Sequence, residues 1–211
     1  MMLNKLSVYA VMFREKAKED GFWKTLGRSL RSDQEAVPAV CDLLNLKPEK
    51  HPLEHFGCEI RHISQTDQVD SLLYELKSRK LKVKMNIRKG YQAFVLIKDG
   101  RVIGDLWFTY IREGVTHPHR DVELLGIDLG PHDAYAFDLF VSKQERGKDL
   151  TTTFMIRALK SLGEMGFARA YGYYMAKNIP ALWIHRLIGY KEMPRVMIRN
   201  VLFFRTSKPI R

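Results

Sequence analysis

The sequence predicts an α/β fold with an N-terminal helical extension, and three stretches predict it. YAFDLFV (135–141) is an apolar run too short for a helix and bounded by turn residues, so it reads as a buried strand. The glycine-bearing turn SKQERGKDL carries it into a helix from about Leu150 to Met165. A second strand-like run, ARAYGYYM (168–175), leads through Asn178 into another helix closed by Gly189 and Tyr190. Upstream, Ala93–Ile97 and Val102–Tyr110 are rich in β-branched and aromatic residues and flank Asp99-Gly100. Asp-Gly is a preferred two-residue hairpin turn because both central residues need positive φ.

The chain has 211 residues, 45% apolar and 28% charged, the make-up of an ordinary soluble globular protein. A domain of this size buries about 70% of its unfolded surface. Lys and Arg outnumber Asp and Glu 35 to 24, and the net +11 favours anionic partners: a nucleotide cofactor, nucleic acid or an acidic membrane. The two cysteines, Cys41 and Cys58, have no metal spacing and form no disulfide framework, so a reducing cytoplasm is the expected compartment. The apolar run Val8–Phe13 is too short for a signal peptide or a membrane span.

Residues 1–56 are expected to form a basic amphipathic arm and a linker, and 57–211 the folded domain. In residues 1–32, Leu3, Leu6, Ala10, Phe13 and Ala17 share one helical face; after Gly21 the pattern resumes with Phe22, Trp23, Leu26 and Leu30. Such a basic, Trp-bearing arm can lie on an anionic membrane. Packing on the domain or on a second subunit, as in a homodimer, ranks ahead, because amphipathic helices usually bury their stripe in protein. Pro38, Pro48 and Pro52 around VCDLLNL suggest a linker with one short helix. Cys58–Ile63 alternates as a first strand, and Val69, Leu72, Leu73 and Leu76 then repeat at helical spacing. Lys77–Lys89 carries seven cations and no acid, which reads as a solvated face. It has no interleaved aromatics for stacking on bases, so nucleic acid binding ranks low. Ile111–Asp133 is a long connection holding His117, His119 and His132 with Asp121, Glu123, Asp128 and Asp133. Its length points to an acceptor-binding loop; the His-Pro-His spacing argues against a metal, and none is expected.

The turn Gln144-Glu145-Arg146-Gly147-Lys148-Asp149 resembles the phosphate loop of the GNAT acyltransferase superfamily, Gln/Arg-x-x-Gly-x-Gly/Ala, except at its last position. The superfamily's later signature, Asn, Ala three residues on, Tyr seven on and Gly-Phe at eleven and twelve, falls here on Asn178, Ala181, His185, Gly189 and Tyr190. The resemblance spans roughly Cys58 to Phe204. It implies a mixed, mostly antiparallel twisted sheet flanked by helices. It also implies an acyl-CoA co-substrate, most simply acetyl-CoA, and acyl transfer to an amine. The acceptor expected is a small molecule, with an amino sugar suggested by the acidic, histidine-bearing loop. The alternatives are a protein or peptide acceptor, and a non-catalytic scaffold or membrane-peripheral protein.

On this resemblance the CoA pyrophosphate lies over backbone amides of a helix N-terminus, at Gln144, Arg146, Gly147, Lys148, Asp149, Leu150 and Thr151. Phe140 and Val141 pair with the pantetheine arm as an added strand does, and Asn178 holds the arm by its side chain. His185 stands at the position of the general acid, where imidazolium can donate near neutral pH. Asp138 and Asp133 are the candidate bases. Asp149 replaces a small residue. Its carboxylate either repels the pyrophosphate, at a cost of order 4 kcal/mol for charges about 4 Å apart, or turns inward to cap its own helix.

Overall fold

Ten strands form one sheet in the computed structural model, which describes residues 10, 11, 13–15, 17, 18, 31–111, 119–147, 149–201 and 204–210. In chain order the elements are β1 (Arg31–Asp42), β2 (Cys58–Ile63), α1 (Thr66–Asp70), β3 (Leu73–Tyr74), α2 (Lys77–Ile87), β4 (Gln92–Lys98), β5 (Arg101–Tyr110) and α3 (Asp121–Leu124). Then follow β6 (Asp133–Val141), α4 (Leu150–Glu164), β7 (Arg169–Met175), α5 (Ile179–Ile188), β8 (Lys191–Glu192), β9 (Val196–Val201) and β10 (Phe204–Pro209). The strand order is β10-β9-β1-β7-β6-β5-β4-β2, with β3 beside β5 and β8 beside β1. Among the described residues β6–β7 and β3–β5 are parallel and the other pairs run antiparallel. This is the mixed, mostly antiparallel sheet with helical flanks that the family resemblance implies.

Both faces of the central strands are buried, which is why these strands read as near-continuous apolar runs. Phe94, Leu96, Leu106 and Phe108 point to one face and pack with Phe154, Leu159 and Leu162 of α4 and Ile188 of α5. Their neighbours Ala93, Val95 and Trp107 point to the other, against Val83 and Ile87 of α2. The hairpin turn is as predicted: Asp99 and Gly100 have φ of 49° and 73°.

Four expectations are corrected. Residues 31–42, expected as arm and linker, are the long strand β1, set between β7 and β9. Pro38 hid it, since proline disrupts a central strand. Here the ring falls where β1 passes from β9, paired as far as Ala36, to β8, paired from Ala39. The Pro38 carbonyl accepts from Met193 N at 2.8 Å. The N–H and C=O of a strand residue face the same way, so the missing donor faces this gap. Residues 66–76, expected as one helix, break into α1 and β3, because Leu73 pairs with Arg101 of β5. The short helix expected within VCDLLNL is only a 3-10 turn at Leu43–Asn45, capped by Asp42. Finally, the basic run is the helix α2, and its Arg79 is buried. Of the first arm helix, residues 10, 11, 13–15, 17 and 18 are helical, while the second arm stretch, 21–30, lies outside the described residues. So do residues 112–118, with His117, and Lys148. Among the described residues no helix is long and apolar enough to cross a membrane.

Candidate functional site

The site begins where two parallel strands stop pairing. β6 and β7 are in register only from Asp133↔Arg169 to Tyr135↔Tyr171. Beyond that point β6 is pulled toward β5 by a bulge: Trp107 pairs with Phe137 but Asp105 with Phe140, and Asp138 takes a left-handed φ of 56°. A bulge bends its strand and increases local twist. The strands therefore splay, and a cleft of about 710 Å³ opens between the end of β6, the end of β7 and the first turns of α4 and α5. On its β7 side the β6 backbone past Tyr135 has no strand partner among the described residues, which leaves it open to an extended ligand.

The loop after β6 closes one end of this cleft. Gly147 has φ 102° and Asp149, the N-cap of α4, has φ 66°. The position that the family fills with Gly or Ala is thus a left-handed one, and Asp is among the few other residues that tolerate it. The Asp149 side chain does not cap α4; its carboxylate accepts from Lys50 Nζ at 3.2 Å, half exposed. The inward-capping alternative does not occur. Arg146 folds back so that Nε donates to Val141 O at 2.9 Å, and Thr151 presents the first turn of α4 to the cleft. First-turn amides lack intrahelical acceptors and sit at the positive end of the helix dipole. Gln144 instead turns toward Glu75, 3.4 Å away, and Leu150 is buried in the core. Phe140 lies under the Arg79 guanidinium, 4.6 Å from ring centroid to Cζ.

The facing wall comes from α5. Asn178 caps this helix, Oδ1 accepting from Ala181 N at 3.3 Å, with Pro180 in the first turn and Gly189 at φ 104° ending it. Asn178, Ala181 and His185 all reach the cleft, as their three- and four-residue spacing on one helical face requires. His185 is almost fully buried between Tyr174 and Tyr190, with ring centroids at 4.9 and 4.7 Å. Its Nδ1–H donates to Ala181 O at 2.8 Å, and Nε2 has no hydrogen-bond partner among the described residues. Burial pushes the imidazole below its ordinary value, outweighing the bond to Ala181. Burial thus favours the neutral form of His185, in which Nε2 is the acceptor nitrogen. With Nδ1–H committed to Ala181, Nε2 is the ring atom left to exchange a proton.

The two carboxylates differ in placement. Asp133 sits at the paired end of β6, buried, bound through both oxygens to Arg169 at 2.7 and 2.8 Å and accepting from Gly130 N. It is not among the residues that line the cleft. Asp138 does line it, but its oxygens accept from Arg79 at 3.1 and 3.2 Å and ion-pair with Lys82 at 2.6 Å. Arg79 also binds Asp105, which Trp107 Nε1 bonds at 2.8 Å and which burial pushes up, to about 6. Sequence reasoning missed Arg79 and Lys82, though a signal was present. Arg79, Val83 and Ile87 are spaced by four, and all three are buried on one stripe of α2.

On the far side of the phosphate-type loop lies a second recess of about 600 Å³, lined by His51, His55 and Phe56 together with Arg146, Gly147 and Asp149 of the loop. Among the described residues no three His, Cys, Asp or Glu side chains are grouped to hold a metal ion.

No protein-family model and no curated protein matches the sequence. Solved structures do resemble the fold. A GCN5-related glucosamine N-acetyltransferase region of a fungal multi-domain GH3 β-N-acetylglucosaminidase superposes with a TM-score of 0.54 at 17% identity, over 84% of this chain and 21% of that one. A GCN5-related N-acetyltransferase from Sphaerobacter thermophilus gives 0.51 at 10% identity, over 90% and 56%. A putative GNAT-family acetyltransferase from Novosphingobium aromaticivorans gives 0.50 at 12% identity, over 80% and 63%. The chain thus spans less than two thirds of each of these proteins. The fold is that of the GCN5-related N-acetyltransferases.

Proposed function

We propose that this chain transfers an acyl group, most simply acetyl, from an acyl-CoA to the amine of a small molecule. The observation that carries the reading is the cleft itself. It combines a strand edge left unpaired by the β6–β7 splay with a helix N-terminus and a positive-φ loop at one end. An unpaired strand edge suits the amide-bearing pantetheine arm, and the helix N-terminus suits a pyrophosphate. In the transfer, the neutral amine attacks the thioester carbonyl; a C–N bond forms, the C–S bond breaks and a thiolate leaves. The ammonium proton needs an acceptor. Of the three side chains predicted for acid–base work, His185 alone both lines the cleft and has an uncommitted nitrogen, so we assign the proton acceptance to Nε2. Asp138, held by two cations, is assigned to shaping the bulge. A thiolate leaves without help, and solvent can protonate it.

The acceptor class rests on less. The fungal neighbour is described as a glucosamine N-acetyltransferase region. An amino sugar is accordingly the first acceptor to test. Thermal unfolding with acetyl-CoA, longer acyl-CoAs and free CoA tests the donor: at one hundred times the dissociation constant, stabilisation should be about 2.7 kcal/mol. Release of free thiol with a panel of amino sugars and other amines tests the acceptor. A melting temperature unmoved by every acyl-CoA would overturn the reading.

A further inference from the structure

The recess behind the phosphate-type loop is not used by the transfer chemistry, and its lining is unlike that of the cleft. His51 and His55 stack at 4.8 Å between centroids and 20° between planes. Phe56 meets both rings edge-on, at 6.3 and 5.2 Å. The segment is well anchored. Leu53 is buried, Gly57 turns left-handed at φ 65° with its N–H donating to Glu54 O, and Cys58 Sγ donates to Phe56 O at 3.4 Å. Both histidine rings are themselves exposed. Two flat rings held parallel, propped by a third and open to solvent, make a stacking platform for another flat ring.

Its position says which ring. Arg146, Gly147 and Asp149 line both the cleft and the recess, so a ligand that crosses the loop from the cleft arrives at the histidine pair. We infer that His51 and His55 form a subsite for the purine base at the nucleotide end of the acyl donor. This inference rests on the acyl-CoA reading above and adds to it a group of residues that precede Cys58, outside the stretch resembling the acyltransferase superfamily. The charges nearby are nearly balanced. Lys98 pairs with Glu145 at 2.9 Å and Lys50 with Asp149 at 3.2 Å. The subsite therefore works through stacking on the base more than through attraction to the phosphates.

Calorimetric titration of CoA, 3′-dephospho-CoA and 4′-phosphopantetheine tests this. Wild type should bind CoA and dephospho-CoA alike, and both about tenfold more tightly than phosphopantetheine, in the range that stacking one base on an aromatic platform supplies. Replacing both rings, His51→Ala with His55→Ala, should lower CoA affinity to the phosphopantetheine level and leave phosphopantetheine binding unchanged. His51→Phe with His55→Phe keeps two flat rings and should retain CoA affinity. The exposed rings carry little of the fold, and an unaltered melt confirms that each variant is folded. The platform is overturned if CoA affinity survives the double alanine change, if phosphopantetheine loses as much as CoA, or if dephospho-CoA binds wild type no better than phosphopantetheine. Those outcomes leave the acyl-CoA reading standing; failure of all three ligands to bind wild type overturns both.

Discussion

Asp149 offers the sharpest test of the site, because its structure separates two effects that the sequence leaves mixed. The residue holds φ 66°, makes no side-chain cap bond, and pairs with Lys50 across a half-exposed gap. Replacing it with Gly relieves a left-handed strain of about 1 kcal/mol but adds unfolded-state entropy of about 0.5–1 kcal/mol. Losing the exposed ion pair costs at most ~0.5 kcal/mol after solvent screening. The terms nearly cancel, so Asp149→Gly should leave stability within about 1 kcal/mol of wild type. Binding is another matter. A carboxylate about 8 Å from a phosphate charge opposes it by about 2 kcal/mol at an effective dielectric of 20, and Lys50 offsets part of that. Asp149→Gly and Asp149→Asn should both tighten acetyl-CoA binding about tenfold, with a larger gain at low salt. Asn tolerates the same backbone and removes only the charge, so it isolates the electrostatic effect. Calorimetry at two salt concentrations, with parallel melts, measures both quantities. An Asn variant that binds no more tightly than wild type would refute the placement of this carboxylate beside the phosphates.

The remaining expectations concern the buried charges and histidines. Arg79→Met strands Asp105 without its cation and should cost about 3–5 kcal/mol in urea unfolding, against less than ~1 kcal/mol for Lys82→Met; equal losses would show that Arg79 is not the hub of this network. His119 is half-buried against Tyr135, Phe137 and Tyr91, and desolvation lowers its pKa, the ring being faced by Asp121 on one side and by Lys89, Arg120 and Arg205 on others. A histidine whose folded pKa lies below its unfolded value contributes stability that is complete above about pH 6.5 and is lost as pH falls. The free energy of urea unfolding should therefore drop between pH 7 and 5, by up to about 1.4 kcal/mol per pH unit for each of His119 and His185. His119→Gln should flatten that slope by roughly half, and an unchanged slope would remove His119 from the account. His185→Gln should lower the acyl-transfer rate constant about 10²–10⁴-fold with little change in acyl-CoA affinity. Wild-type activity should fall on the acid side, below the lowered imidazole pKa, and a rate and profile shared by the variant would make His185 a packing residue only.

The parts of this protein legible in its sequence are those whose causes lie within a few consecutive residues. Asp99-Gly100 makes its hairpin because those two residues accept positive φ. Asn178, Pro180 and Gly189 start and end α5 through local caps. The apolar run at 135–141 meets a glycine turn and a helix, which suffices for β6, the loop and α4. The order of those elements carries most of the sheet.

What only the tertiary structure decided are the pairings between distant residues. β1 contains a proline that argues against a central strand, and becomes legible only when β8 and β9 are seen to part beside it. Arg79 looks like one cation of a solvated run until the chain brings Asp105 and Asp138, 26 and 59 residues away, against its buried stripe. Asp133 and Asp138 are equivalent candidates on paper. The register of β6 with β7 puts one at the closed end, salt-bridged to Arg169, and the bulge against β5 puts the other at the open end. His185 sits at the expected position, yet its protonation follows from burial between two tyrosines, one on β7 and one after α5. Local conformation depends on torsional preference and capping, which neighbouring residues specify. The partner of a charge, the edge that a strand finds and the solvation of an imidazole depend on residues that only the folded chain brings together.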